Sequence, residues 1–166
     1  MTELKVTAEP GVPQILTERA FDAPRDLILR AFTEADLLAQ WLGPRGYTMT
    51  VEQFEPRAGG SWRYVHSDGD GNSYGFHGVF HNDPSPDGFV QTFEFEGAPG
   101  HVSLDTMTME ERDGRTIVRT NSLFQSVEAR DAMVQSGMAD GMSQGYDQLE
   151  ELLEKQGASL KAHHDS

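Results

Sequence analysis

The side chains with most to offer chemically are His66, His77, His81 and His101, which fall within one stretch rich in aromatic residues. Clustered histidines are common zinc ligands, so their spacing is the first thing to test. On a strand, at about 3.3 Å per residue, His77 and His81 stand about 13 Å apart, too far to share an ion, and His77 faces away from Phe76. His163 and His164 lie in the aperiodic ending GASLKAHHDS and read as tail residues rather than ligands. The run Asp68-Gly-Asp-Gly-Asn-Ser imitates the opening of a calcium-binding loop. Ser73, however, stands at the sixth place, which requires glycine, and Val79 at the twelfth, which requires glutamate. Its flanks read as strands, so it is a solvated hairpin turn. No metal and no cofactor is expected.

The chain has no cysteine, which removes disulfides, thiolate nucleophiles and thiolate zinc sites. It also lacks a nucleophile elbow, a metalloprotease helix, a phosphate-cradling glycine loop and a dinucleotide fingerprint. Gly69, Gly71, Gly75 and Gly78 do not count, because no helix follows them. What remains is acid–base chemistry by groups paired in a cavity. Tyr64, His66, Glu94 and Asp105 are the conceivable participants, and their spacing selects none of them. No catalytic residue is assigned, and binding is favoured over catalysis. Arg63, between Trp62 and Tyr64, should face the other way and form a surface ion pair. A bulge turning it inward would let it hold a ligand carboxylate or pair with Glu94 or Glu110.

Thirteen Lys and Arg against 27 Asp and Glu give a net charge of -14. That field repels phosphates and anionic headgroups, so neither nucleic acid nor a membrane surface is an expected partner. No 18 apolar residues occur together and no basic start precedes an apolar run, so the expected location is the cytoplasm. The length suits one domain burying about 68–70% of its unfolded surface.

These residues need elements to position them. Residues 1–13, with Pro10, Gly11 and Pro13, read as an extended lead-in. Gln14–Phe21 reads as a strand with Ile15, Thr17, Arg19 and Phe21 on one side. Asp22 as cap and Pro24 in the first turn open a helix. Thr33 and Asp36 open a second helix, which Gly43-Pro44 ends. Strands follow over Tyr47–Glu55, Ser61–Ser67, Ser73–Asn82, Phe89–Glu96, Val102–Arg112 and Thr116–Phe124, the last two joined by an Asp113-Gly114 turn. A final helix starts near Ser126 and runs to about Lys155, so the domain spans 14–155 and 156–166 form a flexible tail. Within that helix Val134, Met138, Gly141, Met142, Gly145, Leu149, Leu152 and Leu153 share a stripe, with Tyr146 at its edge. Gly137, Gly141 and Gly145 recur every four residues at about 1 kcal/mol each. Either the helix approaches the sheet closely there or it leaves room for a ligand.

Alternation puts Trp62, Tyr64 and His66 on one face. Tyr74, Phe76, Gly78 and Phe80 share a face of the next strand, and Phe89, Gln91, Phe93 and Phe95 of the one after. Met107, Met109, Met133, Met138 and Met142 flank them with adaptable thioethers. The candidate pocket lining is therefore Trp41, Trp62, Tyr64, His66, Phe76, Phe80, Phe93, Phe95, Met107, Met109, Met138, Met142 and Tyr146. A filled core gives the same pattern, and both readings stay open.

Several strings occur in a telling order: Phe21-Asp-Ala-Pro with Ala31-Phe-Thr, Trp41-Leu-Gly-Pro, Ala58-Gly-Gly-Ser-Trp-Arg-Tyr, Gly78-Val-Phe, Asp113-Gly-Arg-Thr, then Gly137-Met with Tyr146-Asp-Gln-Leu-Glu-Glu-Leu-Leu. Together, over about Gln14 to Leu153, they resemble the bacterial homologues of heat-shock-protein-90 ATPase activators, in the START-like (SRPBCC) helix-grip superfamily. The resemblance implies an α+β helix-grip fold: a strand, two short helices, a six-stranded antiparallel meander and a long C-terminal helix packed across a curved sheet. It does not settle function, because the superfamily spans carriers, receptors, cyclases and chaperone cofactors. Three expectations follow. The first is a protein holding a small apolar or amphipathic molecule between sheet and helix. The second is a chaperone-regulating, stress-response module, and the third a cyclase or dehydratase of polyketide-like substrates. A homodimer is compatible with such a domain.

Overall fold

Period-two alternation of apolar side chains produces a sheet with one covered face, and the computed structural model shows it for residues 3–164, with side chains described to residue 157. Its strands are β1 Lys5–Thr7, β2 Gln14–Phe21, β3 Thr48–Phe54, β4 Ser61–Ser67, β5 Ser73–Val79, β6 Gly88–Phe95, β7 Val102–Arg112 and β8 Arg115–Leu123. They form one curved antiparallel sheet in the order β1-β2-β8-β7-β6-β5-β4-β3. The meander thus runs unbroken from β3 to β8, and β2 returns to pair with β8. Helices α1 Arg25–Thr33 and α2 Ala35–Leu38 lie between β2 and β3, while α3 Val127–Gln135 and α4 Met138–His164 follow β8. The Asp113-Gly114 turn has both residues at positive φ, 54° and 76°, as a two-residue hairpin turn requires.

Six expectations change. The second helix spans only Ala35–Leu38, with Glu34 rather than Thr33 at its cap position, and stops before Gly43-Pro44. The lead-in is not merely extended, because Lys5–Thr7 pairs with β2 in the register Lys5↔Glu18 and adds an eighth strand. Asp22 does not cap α1. Pro24 holds the cap position, the Asp22 carboxylate accepts from Arg115 Nε at 2.8 Å, and Glu111 takes the Arg25 backbone N–H at 2.8 Å. The strand expected to reach Asn82 stops at Val79, because the Asn82 side chain turns to accept the Val90 N–H at 2.8 Å. The long terminal helix is two helices. Ser126 does cap the first, accepting Ala129 N–H at 3.0 Å, but Gly137 adopts φ +85° and ends it. Finally, α4 continues past Gly157 to His164, into the expected tail. Residues 165–166 and the His163 and His164 side chains lie outside the described residues.

The core lies between the inner face of the sheet and the helices. Around Trp41 it is closed by edge-to-face ring pairs: Phe32–Trp41 at 71°, Phe21–Tyr146 at 77°, Phe80–Phe89 at 72° and Phe54–Phe80 at 73°. The Trp41 indole N–H is satisfied by the Ala31 carbonyl at 3.0 Å. The glycines of α4 answer to the turn after α2 rather than to the sheet. A Cβ on Gly145 would stand 3.3 Å from both Gly43 N and the Trp41 carbonyl, and one on Gly141 would stand 3.5 Å from Pro44. Gln148 Nε2 ties the same turn down, donating to the Gly43 and Trp41 carbonyls at 2.8 and 3.2 Å. Among the described residues no helix is long and apolar enough to cross a membrane.

Candidate functional site

Strand register decides which side chains meet on the inner face. One row runs Trp62↔Gly78 across β4 and β5 and Phe93↔Ser103 across β6 and β7. The next runs Phe80↔Gln91↔Asp105↔Ser122↔Ile15 from β5 to β2. A polar band of Gln91, Asp105 and Ser122, with Ser103 beside Asp105, therefore crosses an otherwise apolar surface. On one side of it lies the edge-to-face core. On the other lies a second aromatic group that packs differently.

That second group packs its rings at shallower angles. Trp62 and Tyr64 stack at 4.8 Å and 17°, Tyr64 and Phe76 stand 5.6 Å apart at 35°, and Phe76 and Phe93 stand 5.5 Å apart at 33°. Trp62 can lie flat because it faces Gly78, where a Cβ would come within 2.6 Å of the indole Cζ2. His66 ends the group, 5.2 Å from both the Tyr64 and the Phe76 rings, with Gly43 leaving space for its imidazole. Phe76 and Phe93 are only half-buried, although they face inward. Met142 of α4 is likewise half-buried and packs against the hydrophobic core.

Electrostatics single out the same region. Burial pushes the Asp105 carboxyl up to about 6, against the lowering effect of hydrogen bonds from Ser122, Ser103 and Gln91. The Ser103 hydroxyl donates to it at 3.1 Å. Burial raises the Tyr64 hydroxyl well above its ordinary value, and the Asp105 charge adds to that. Tyr146 of α4 is pushed up to about 12 by burial, partly offset by a hydrogen bond with Thr120. His66 is held below its ordinary value by burial, which favours the neutral imidazole. Trp62 Nε1 and His66 Nε2 have no hydrogen-bond partner, although these residues are only 2% and 7% exposed. Buried polar atoms are normally paired, so two orphans in one aromatic layer need a reason.

Arg19, on the inner face of β2 and 4% exposed, holds α4 against the sheet. Its guanidinium donates to the Tyr146 carbonyl, pairs with Asp147 at 3.3 Å and lies 4.6 Å from the centroid of the Phe21 ring. At the start of α3 the buried Arg130 plays a similar part, donating to the Gln14 carbonyl at 3.1 Å. No other α3 side chain is buried.

The expected pocket residues divide between the two groups. Trp41, Phe80, Met107, Met109 and Tyr146 belong to the closed core, whereas Trp62, Tyr64, His66, Phe76 and Phe93 make up the shallow-angle aromatic layer, and Met142 packs half-buried against the core. Met138, the first residue of α4, is half-buried outside that core. Phe95 pairs with Phe76 at 5.2 Å but also walls a groove of about 490 Å³ reached from the opposite side of β4–β6, with Arg63, Tyr74 and Glu96. This groove is a poor site because its charges are spent on one another. Arg63 binds Glu52 and Glu96, and His77 Nδ1 stands 2.9 Å from Glu96, whose carboxyl Arg63 and His77 hold down at about 2. Arg63 thus faces outward and ion-pairs as its parity required, with partners other than Glu94 or Glu110. Glu94 lies on that outer face too, away from Asp105, Tyr64 and His66. In the 68–73 turn the Asp68 carboxylate accepts from the Asp70 and Asn72 backbone N–H groups. Gln91 shares the face that alternation assigned to Phe89 and Phe93 but is absent from the candidate lining, and Ser103 and Ser122 were passed over, although their parity with Met107 and Val118 places them inward.

Comparison with known proteins agrees with this architecture. The chain is similar to a crystal structure from Rhodobacter sphaeroides, at 28% identity and TM-score 0.84 over 92% of this chain and 99% of that one. It is also similar to a solution structure from Arthrobacter aurescens, at 25% identity and TM-score 0.83 over 91% of each. CalU16 from Micromonospora echinospora shares the fold alone, at 16% identity and TM-score 0.57 over 98% of this chain and 91% of that one. No curated protein matches. Residues 22–154 match one family throughout, and the chain belongs to it: the Activator of Hsp90 ATPase homolog 1-like proteins, with the helix-grip fold.

Proposed function

We propose that the protein binds a small amphipathic molecule between the inner face of the sheet and the helices α3 and α4. The observation that carries this reading is the polar band Gln91–Asp105–Ser122 crossing an apolar concave face beside half-buried Phe76 and Phe93. Such a surface offers an apolar ligand body contact area and its polar end hydrogen bonds, the usual composition of a small-molecule site. A thermal-shift screen of fatty acids, sterols and naphthyl compounds tests it. Any binder at 100 times its Kd should stabilise the fold by about 2.7 kcal/mol. A Phe93→Ser variant should lose that response. If no compound of any of these classes raises the Tm, the reading fails.

Family membership supports a second reading, a chaperone-regulating role of the kind the family's name describes. It is tested by the ATPase rate of Hsp90 with and without the protein, and an unchanged rate removes it. Catalytic use of the same cleft, as in a cyclase or dehydratase, would fall to Asp105. That carboxyl exchanges its proton near neutral pH and lies close enough to Tyr64 for its charge to raise the phenol.

A further inference from the structure

The two halves of the inner face differ in how their rings meet. In the closed half five ring pairs cross at 60° to 77°, and Trp41 meets Tyr146 at 42°. Beyond the polar band, Trp62, Tyr64, Phe76 and Phe93 stand at 17° to 35° to one another, like leaves of one stack. Within this series Phe76 and Phe93 are only half-buried, although they lie on the covered face. Rings inclined at shallow angles and not fully buried accept another flat ring more readily than a flexible alkyl chain. The chain then adds a polar requirement of its own. Of its two tryptophans, Trp41 spends its indole N–H on the Ala31 carbonyl, while the Trp62 N–H has no acceptor although the residue is buried. An orphan donor beside a stacking surface calls for an acceptor atom on whatever stacks there.

We infer that the cleft takes a planar conjugated ring system bearing a carbonyl-type oxygen, with the rings stacked in the Trp62–Tyr64–Phe76–Phe93 series and the oxygen accepting from Trp62 Nε1–H. This rests on the binding role proposed above and specifies its ligand class. His66 Nε2, the other orphan, is four residues further along β4, about 13 Å at 3.3 Å per residue, so it meets a second polar group at the far end of the ligand.

The test uses three probes on the full ¹⁵N-labelled chain: 9-fluorenone, fluorene, which has the same shape without the oxygen, and 1-dodecanol, which is amphipathic but not planar. Fluorenone should bind about tenfold more tightly than fluorene, the value of one satisfied hydrogen bond. In the same titration the Trp62 indole N–H resonance should move downfield while that of Trp41 stays in place. In Trp62→Phe, which keeps a ring and loses the donor, fluorenone should fall to the affinity of fluorene. If fluorenone binds no better than fluorene in the wild type and leaves the Trp62 resonance unmoved, the assignment of the donor is overturned. If dodecanol binds and neither tricycle does, the ligand class is overturned while the cleft stands. If none of the three binds and the wider screen is also blank, the binding role falls with it.

Discussion

Replacing Asp105 with asparagine removes a buried charge and keeps the side chain's shape and one acceptor, so its effect can be worked out from the structure. In the native protein the carboxyl titrates at about 6, whereas its ordinary value is 3.8. Between those values the native state holds the proton and the unfolded state has released it. The Asp105 contribution to stability therefore falls as pH rises from 3.8 to about 6 and is level above that. At about 1.4 kcal/mol per pH unit the full penalty is about 3 kcal/mol. Partial exposure of the side chain reduces it to about 2 kcal/mol, because water screens the charge. Asp105→Asn should thus be more stable than the wild type by about 2 kcal/mol at pH 7.5, and the gap should close by pH 4. Urea unfolding of both proteins at a series of pH values measures this, and the other carboxylates cancel in the difference. Parallel curves across that range, or a variant less stable at pH 7.5, would show that the hydrogen bonds from Ser103, Ser122 and Gln91 compensate the charge fully. The account of the polar band as a destabilising feature would then be wrong.

Gly78→Ala should cost about 3 kcal/mol in urea unfolding, because the new Cβ meets the Thr92 carbonyl and the Trp62 ring, and backbone cannot retreat as a side chain can. Gly145→Val should cost about 2 kcal/mol by pushing α4 off the Trp41–Gly43 turn and stretching the two Gln148 bonds. Ser126→Ala should cost about 1 kcal/mol through loss of the α3 cap. Arg130→Met should speed amide exchange across α3 and leave that of α4 unchanged, since it removes the bond to the Gln14 carbonyl and α3 buries no other side chain.

The strands were legible because parity is a local property. Trp62, Tyr64 and His66 face inward as alternation requires, and Arg63 faces out. The Asp113-Gly114 turn was legible for the same reason, since φ > 0 at two adjacent residues restricts the residue types strongly. What could not be read depended on distant partners. The glycine spacing in α4 signalled close approach, but nothing in the spacing said that the approaching group was the backbone of Trp41 and Gly43, about a hundred residues earlier. The expected stripe ran from Val134 through Gly137, but Val134 is 41% exposed and the buried stripe belongs to α4 alone, because hydrophobic spacing cannot show where a helix leaves the surface it packs on. Asp22 was a good local cap, but Arg115 competes for it across 93 residues of chain.

The pocket lining was read as one set, and ring geometry splits it in two. Hydrophobicity alone cannot make this division, because Trp41 and Trp62 are equally apolar and almost equally buried, at 1% and 2% exposure. They differ in what their polar atoms do. Trp41 is a satisfied core tryptophan, whereas Trp62 leaves a donor idle, and a residue selected only for packing would gain by giving it up. The same holds for His66 Nε2 and for the ionised form of Asp105, each of which weakens the fold as it stands. Costs of this kind persist where function requires them. That all three arise on one face, beside the half-buried Phe76 and Phe93, is the strongest reason to locate the proposed binding site in this half of the sheet rather than around Trp41.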